Sequence, residues 1–110
     1  MHTVDYSKID YRGLKDEGAF IFQMLYFPYI LKGKKQANIE ILCFGKNNYG
    51  WQARILNDKS KKGSISNGTT YVIIEDALND AIKGVVDELV EDPDLREMIF
   101  TQEKVRQESN

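Results

Sequence analysis

Residues 38–56 read NIEILCFGKNNYGWQARIL, and this stretch decides the fold. Ile39, Ile41 and Cys43 alternate with Asn38, Glu40 and Leu42. Trp51, Ala53 and Ile55 alternate with Gln52, Arg54 and Leu56. A period of two is the signature of strands with one buried face. Between the runs, Gly45 to Gly50 holds two glycines and two asparagines, residues that tolerate positive φ in a tight turn. For 39/41/43 to share a face with 51/53/55, the residue numbers of cross-strand partners must sum to an even number. The expected loop is Lys46-Asn47-Asn48, with Glu40 opposite Arg54. A slip of one residue would move Trp51 to the wrong face.

Outward from the hairpin, the N-terminal side is ambiguous. Leu14 to Phe27 is apolar on nearly every side, so periodicity does not separate a buried helix from a buried strand. The reading adopted is a helix over about Leu14–Phe27, ended by Pro28 and followed by extended Tyr29–Leu31. If the segment is instead a strand, Pro28 marks it as an edge.

On the C-terminal side, Asp58–Gly68 is a polar, lysine-rich connection, and the β-branched run Thr69–Ile74 is expected to be a third strand. Ile74, Ala77, Leu78, Ala81, Ile82, Val85 and Leu89 follow helical spacing, with Asp76 a candidate N-cap. Asp92-Pro93 then caps and starts a second helix. The expected fold is α+β: a small antiparallel sheet of three to four strands covered by helices, in the order α-β-β-β-α-α. It should form a single domain over 1–110, with frayed ends near 1–5 and 107–110. The expected core is Ile39, Ile41, Trp51, Ala53, Ile55, Ile74, Leu78, Ile82, Val85 and Leu89.

The net charge of −2 conceals an imbalance. Residues 31–62 carry eight basic and two acidic groups, net +6, whereas residues 63–110 carry four basic and eleven acidic, net −7. The single cysteine, Cys43, forms no internal disulfide and suits a reducing compartment, so a cytoplasmic location is expected. Its alternation with Ile39 and Ile41 implies a buried, structural thiol. Residues 1–17 are polar and charged, unlike a signal peptide. The apolar run Ala19–Leu31 is too short for a bilayer, which needs about 20 residues.

The residue types of common chemistries are sparse. His2 is the one histidine, so nucleophile–histidine sites lack a base. Zinc sites with several Cys or His ligands are excluded by count. Gly33-Lys34 and Gly45-Lys46 lack the spacing of a phosphate loop. Asp76 with Asp80, and Asp87 with Glu91, stand one helical turn apart as carboxylate pairs, a pattern more often solvated than metal-binding. No cofactor or metal is expected.

Two binding readings follow. The first is a non-enzymatic protein-binding module of inhibitor, immunity-protein or adaptor type, docking through a charge-polarised surface with Asp80, Asp87 and Glu91 as contact residues. The second is a small nucleic-acid-binding protein using the basic hairpin region 31–62, with Lys46, Tyr49, Arg54, Lys59, Lys61 and Lys62 on the phosphate backbone. If neither charge set matters, the binding surface is to be sought among Phe20, Phe22, Tyr26, Phe27 and Tyr29. A third reading is an enzyme working with carboxylates and lysines alone.

Overall fold

The computed structural model describes residues 4–108. A four-stranded antiparallel sheet in the order β1-β2-β3-β4 precedes two helices. The strands are β1 (Gln23–Leu31), β2 (Lys34–Gly45), β3 (Asn48–Ile55) and β4 (Ser64–Ser66). The helices are α1 (Ile74–Leu89) and α2 (Pro93–Glu108). The order is therefore β-β-β-β-α-α.

The expected helix at Leu14–Phe27 does not form. Its first part holds a single 3-10 turn at Lys15–Glu17, preceded by another at Tyr6–Lys8, and Gln23–Phe27 belongs to β1. Long-range pairing overrides the ambiguous local pattern, because β1 registers along β2 from Gln23↔Cys43 to Leu31↔Lys34. Pro28 is accommodated because β1 is an edge strand.

The hairpin parity holds: Ile39 faces Ala53, and Ile41 faces Trp51. The register differs by one rung from expectation, since Glu40 lies opposite Gln52, and Arg54 opposite Asn38. A register shift between Cys43 and Gly45 shortens the connection to Lys46-Asn47, with Asn47 at φ 59°. Glycine at position 50 has a steric role. A Cβ there would meet the Phe44 ring at 3.0 Å, so Phe44 lies across the sheet because Gly50 has no side chain.

The expected strand at Thr69–Ile74 is reduced to an isolated bridge, Tyr49↔Tyr71. The fourth strand is Ser64–Ser66, inside the segment read as connection, where Ile65 pairs with Ala53. Serine and lysine around Ile65 concealed it, because three residues are too few to display a period.

α1 begins at Ile74 with Ile73 as N-cap and no side-chain cap, so Asp76 lies in the first turn and not at the cap. Asp92 does cap α2: its carboxylate accepts from the Asp94 amide at 2.9 Å, and Pro93 is the first helical residue. Asp5 caps the first 3-10 turn, and α2 runs to Glu108. The remaining end residues, His2 among them, lie outside the described residues.

α1 lies over β2, β3 and β4 on one face of the sheet. The buried set is Ala37, Ile39, Ile41, Trp51, Ala53, Ile55, Ala77, Ala81, Val85, Leu89, Leu95 and Ile99. Ile74, Leu78 and Ile82, placed in the core by spacing, are half-buried flanks. The buried seam of α1 runs 77-81-85-89, and its alanines let the helix approach the sheet. Gly84 continues this: a Cβ there would stand 2.9 Å from the Trp51 ring. Cys43 is half-buried, not buried, at the hairpin end of the sheet; partial burial pushes its thiol pKa up.

Candidate functional site

The sheet's two faces are unequal. Leu25, Phe27 and Tyr29 share a face with Ile41, Ile39 and Ala37, toward the helices. The alternate residues Met24, Tyr26 and Pro28 point the other way, with Leu42, Glu40 and Asn38 of β2 and Gly50, Gln52 and Arg54 of β3. No helix or strand among the described residues covers this second face. The chain entering β1 adds Phe20 and Phe22 to it. Phe20 stacks on Phe22 with ring centroids 6.0 Å apart, and Phe22 meets Phe44 at 5.4 Å. Phe20 is 70% exposed and Tyr26 64%. Across the polar half, the Gln52 amide donates to Glu40 at 2.7 Å.

A second concavity lies on the helical side. Tyr29 and Leu31 of β1, Ile82 and Val86 of α1, and Met98 and Ile99 of α2 line a groove of about 910 Å³. Lys83, Asp87, Glu103 and Arg106 are its charged lining residues.

The structure gives the three expected carboxylates different roles. Asp80 Oδ2 accepts from the Trp51 indole at 3.0 Å, from the Tyr71 hydroxyl at 2.6 Å and from the Asn67 amide. These bonds tie α1 to β3 and to the chain between β4 and α1. Glu91 stands 3.6 Å from Lys61. Asp87 is exposed at the groove.

No family model, no curated protein and no solved structure matches this chain. Its functional reading therefore rests on its own geometry.

The six basic-region residues are likewise divided. Lys59 contacts Asp94 at 2.6 Å and Asp92 at 3.6 Å, and Lys62 contacts Glu88 at 3.6 Å. With Lys61 on Glu91, all three loop lysines lie against the acidic helices. The net +6 and net −7 segments thus meet in space at this loop. Lys46 is exposed at the hairpin tip, Arg54 lies on the open sheet face, and Tyr49 is half-buried on the helical face. These three do not form one patch with the loop lysines.

Two structural features were incompletely legible in the sequence. The open apolar face was legible only in part: of the aromatics named above, Phe20, Phe22 and Tyr26 are exposed, whereas Phe27 and Tyr29 turn toward the helices, because β1 is apolar on both sides and resembles a buried segment. The signal available was Pro28, which belongs on an edge strand with an exposed side. A buried polar knot was also unforeseen. The register shift after Tyr29 leaves Gln36 without a partner on β1, and Gln36 is buried. Asn57 donates to Gln36 at 2.8 Å and to Asp92 at 2.9 Å. Among the described residues, no cluster of His, Cys, Asp and Glu is placed to hold a metal ion. None of their helices is long and apolar enough to cross a membrane.

Asp80 makes an acid-dependent contribution to stability. The Tyr71 and Trp51 hydrogen bonds hold its carboxyl below the usual carboxylate range. A depressed folded-state pKa adds stability that is complete above the unfolded-state value, near 3.9, and is lost as pH falls through the folded value. The expected result is that Asp80→Asn is less stable than wild type at pH 7 and that the gap narrows below about pH 4. Chemical denaturation at both pH values measures it, and a pH-independent gap would contradict the assignment.

Proposed function

We propose that this chain is a non-enzymatic protein-binding module of the inhibitor, immunity-protein or adaptor class. The observation that carries the reading is the uncovered sheet face, with Phe20, Phe22 and Phe44 in ring contact and Tyr26 exposed on the same face. Apolar patches of several hundred Å² are uncommon on monomers and mark interaction surfaces. Aromatic side chains suit such a surface, since they bury much area at little entropic cost. Asp87 is exposed but stands at the helical-side groove, across the sheet from this row, and Asp80 and Glu91 engage groups within the chain.

The nucleic-acid reading has less support. Lys59, Lys61 and Lys62 face carboxylates of the same chain, so phosphates would have to displace them. A pull-down from native lysate, with and without nuclease, compares wild type with Tyr26→Glu and with the triple variant Lys59→Gln, Lys61→Gln, Lys62→Gln. The expected result is nuclease-resistant protein that Tyr26→Glu releases and the lysine variant retains. Loss of all bound material on nuclease treatment would favour the nucleic-acid reading and overturn ours.

A further inference from the structure

We infer that the occupant of the open sheet face is a second copy of this chain, packed sheet against sheet about a two-fold axis. The inference rests on the binding role proposed for that face and names its partner. Three observations carry it.

The first is shape. The chain measures 54 × 32 × 24 Å with a radius of gyration of 17.3 Å. A compact domain of this length has a radius near 13 Å. One helix layer on one sheet face leaves the sheet covered on a single side. A second sheet on the open face completes an α-β-β-α stack in which both faces of each sheet are buried.

The second is area. Phe20, Phe22, Tyr26 and Phe44 are 70%, 36%, 64% and 46% exposed. With about 200 Å² for an aromatic side chain, they present roughly 400 Å². Met24, Pro28 and Leu42 bring the face to roughly 600 Å², the upper end for a monomer. Two such faces closing on each other bury about 1,200 Å², which reaches the size of a specific interface.

The third is charge. The centre of the face holds one carboxylate, Glu40, and one guanidinium, Arg54, on neighbouring strands. Such a pair is self-complementary, because a two-fold axis can bring Glu40 of each copy to Arg54 of the other. A strongly acidic or basic partner would find no net charge to match there. Edge-to-edge pairing, the other common way for sheets to dimerise, is poorly served. Pro28 interrupts the β1 edge, and β4 has three residues.

Sedimentation velocity on wild type, Tyr26→Glu and Phe20→Asp tests the inference, with far-UV circular dichroism confirming that each variant folds. Both sites are more than 60% exposed, so neither substitution puts a charge into the core. Wild type should sediment at twice the 12.7 kDa chain mass, and both folded variants should lose the dimer. A wild type that stays monomeric up to about 100 μM, the weak end of specific association, would overturn the inference. So would a dimer that both variants retain. If wild type is monomeric while Tyr26→Glu still releases a captured protein, the binding role stands and the self-partner is wrong.

Discussion

Trp51→Ala should destabilise the protein by about 3–5 kcal/mol, the usual cost of emptying a large buried aromatic site. Trp51 is 5% exposed, at the centre of the β3 rung facing Ile41. Its ring lies under α1, where Gly84 has no side chain to keep the helix off it. Truncation leaves a void that neither neighbour can fill: Gly84 offers no atoms, and Ile41 is fixed by the β2 ladder. The indole also donates to Asp80 at 3.0 Å, so the variant weakens the bonds that tie α1 to β3. A domain of this size has about 5–15 kcal/mol of stability, so the loss is a large fraction of the total. Guanidinium unfolding followed by far-UV circular dichroism measures it. A shift under about 1 kcal/mol would mean that the ring is not part of the core.

The hairpin was legible because its alternation is strict and its turn residues are specific. Trp51, Ala53, Ile55, Ile39 and Ile41 all fall on the buried face expected for them. The exact rung was not legible, because parity fixes which face a residue joins but not which partner it meets. Glu40 opposite Gln52 satisfies the same parity as Glu40 opposite Arg54. The first strand was misread for a different reason. A strand whose inner face meets a core and whose outer face carries Met24 and Tyr26, continued by Phe20 and Phe22 in the chain entering it, has no polar phase, and a buried helix has none either.

The charge pattern shows the same limit. The net +6 and net −7 segments are real in sequence, but Lys59, Lys61 and Lys62 fold back onto Glu88, Glu91, Asp92 and Asp94. Exposed pairs of this kind contribute little each. Their consequence is electrostatic: these three lysines are compensated locally by four of the helical carboxylates. Segment charge does not foretell surface charge when the segments are neighbours in the fold.

Asn57→Ala is the second large effect expected. Asn57 is buried, and its amide nitrogen donates to Gln36 and to Asp92, while its oxygen accepts from the Lys59 amide at 2.9 Å. Gln36 and Asp92 are themselves buried, 3% and 5% exposed. Removing the amide therefore leaves buried acceptors unpaired as well as deleting the bonds, and each such group costs about 1–3 kcal/mol. A loss of about 2–4 kcal/mol follows, more than an exposed Asn→Ala would give. The pH dependence identifies the cause. The Asn57 bond is the leading reason that the Asp92 carboxyl is held below the ordinary range. That contribution is complete above the unfolded-state pKa and fades as pH falls through the lower folded-state value. The difference between wild type and Asn57→Ala should therefore be largest near neutrality and shrink below about pH 4. Replacing Lys59, whose side chain is half exposed in its pairs with Asp92 and Asp94, should have a much smaller effect. If Lys59→Met proved as damaging as Asn57→Ala, the ion pairs and not the buried amide would hold α2 to the sheet.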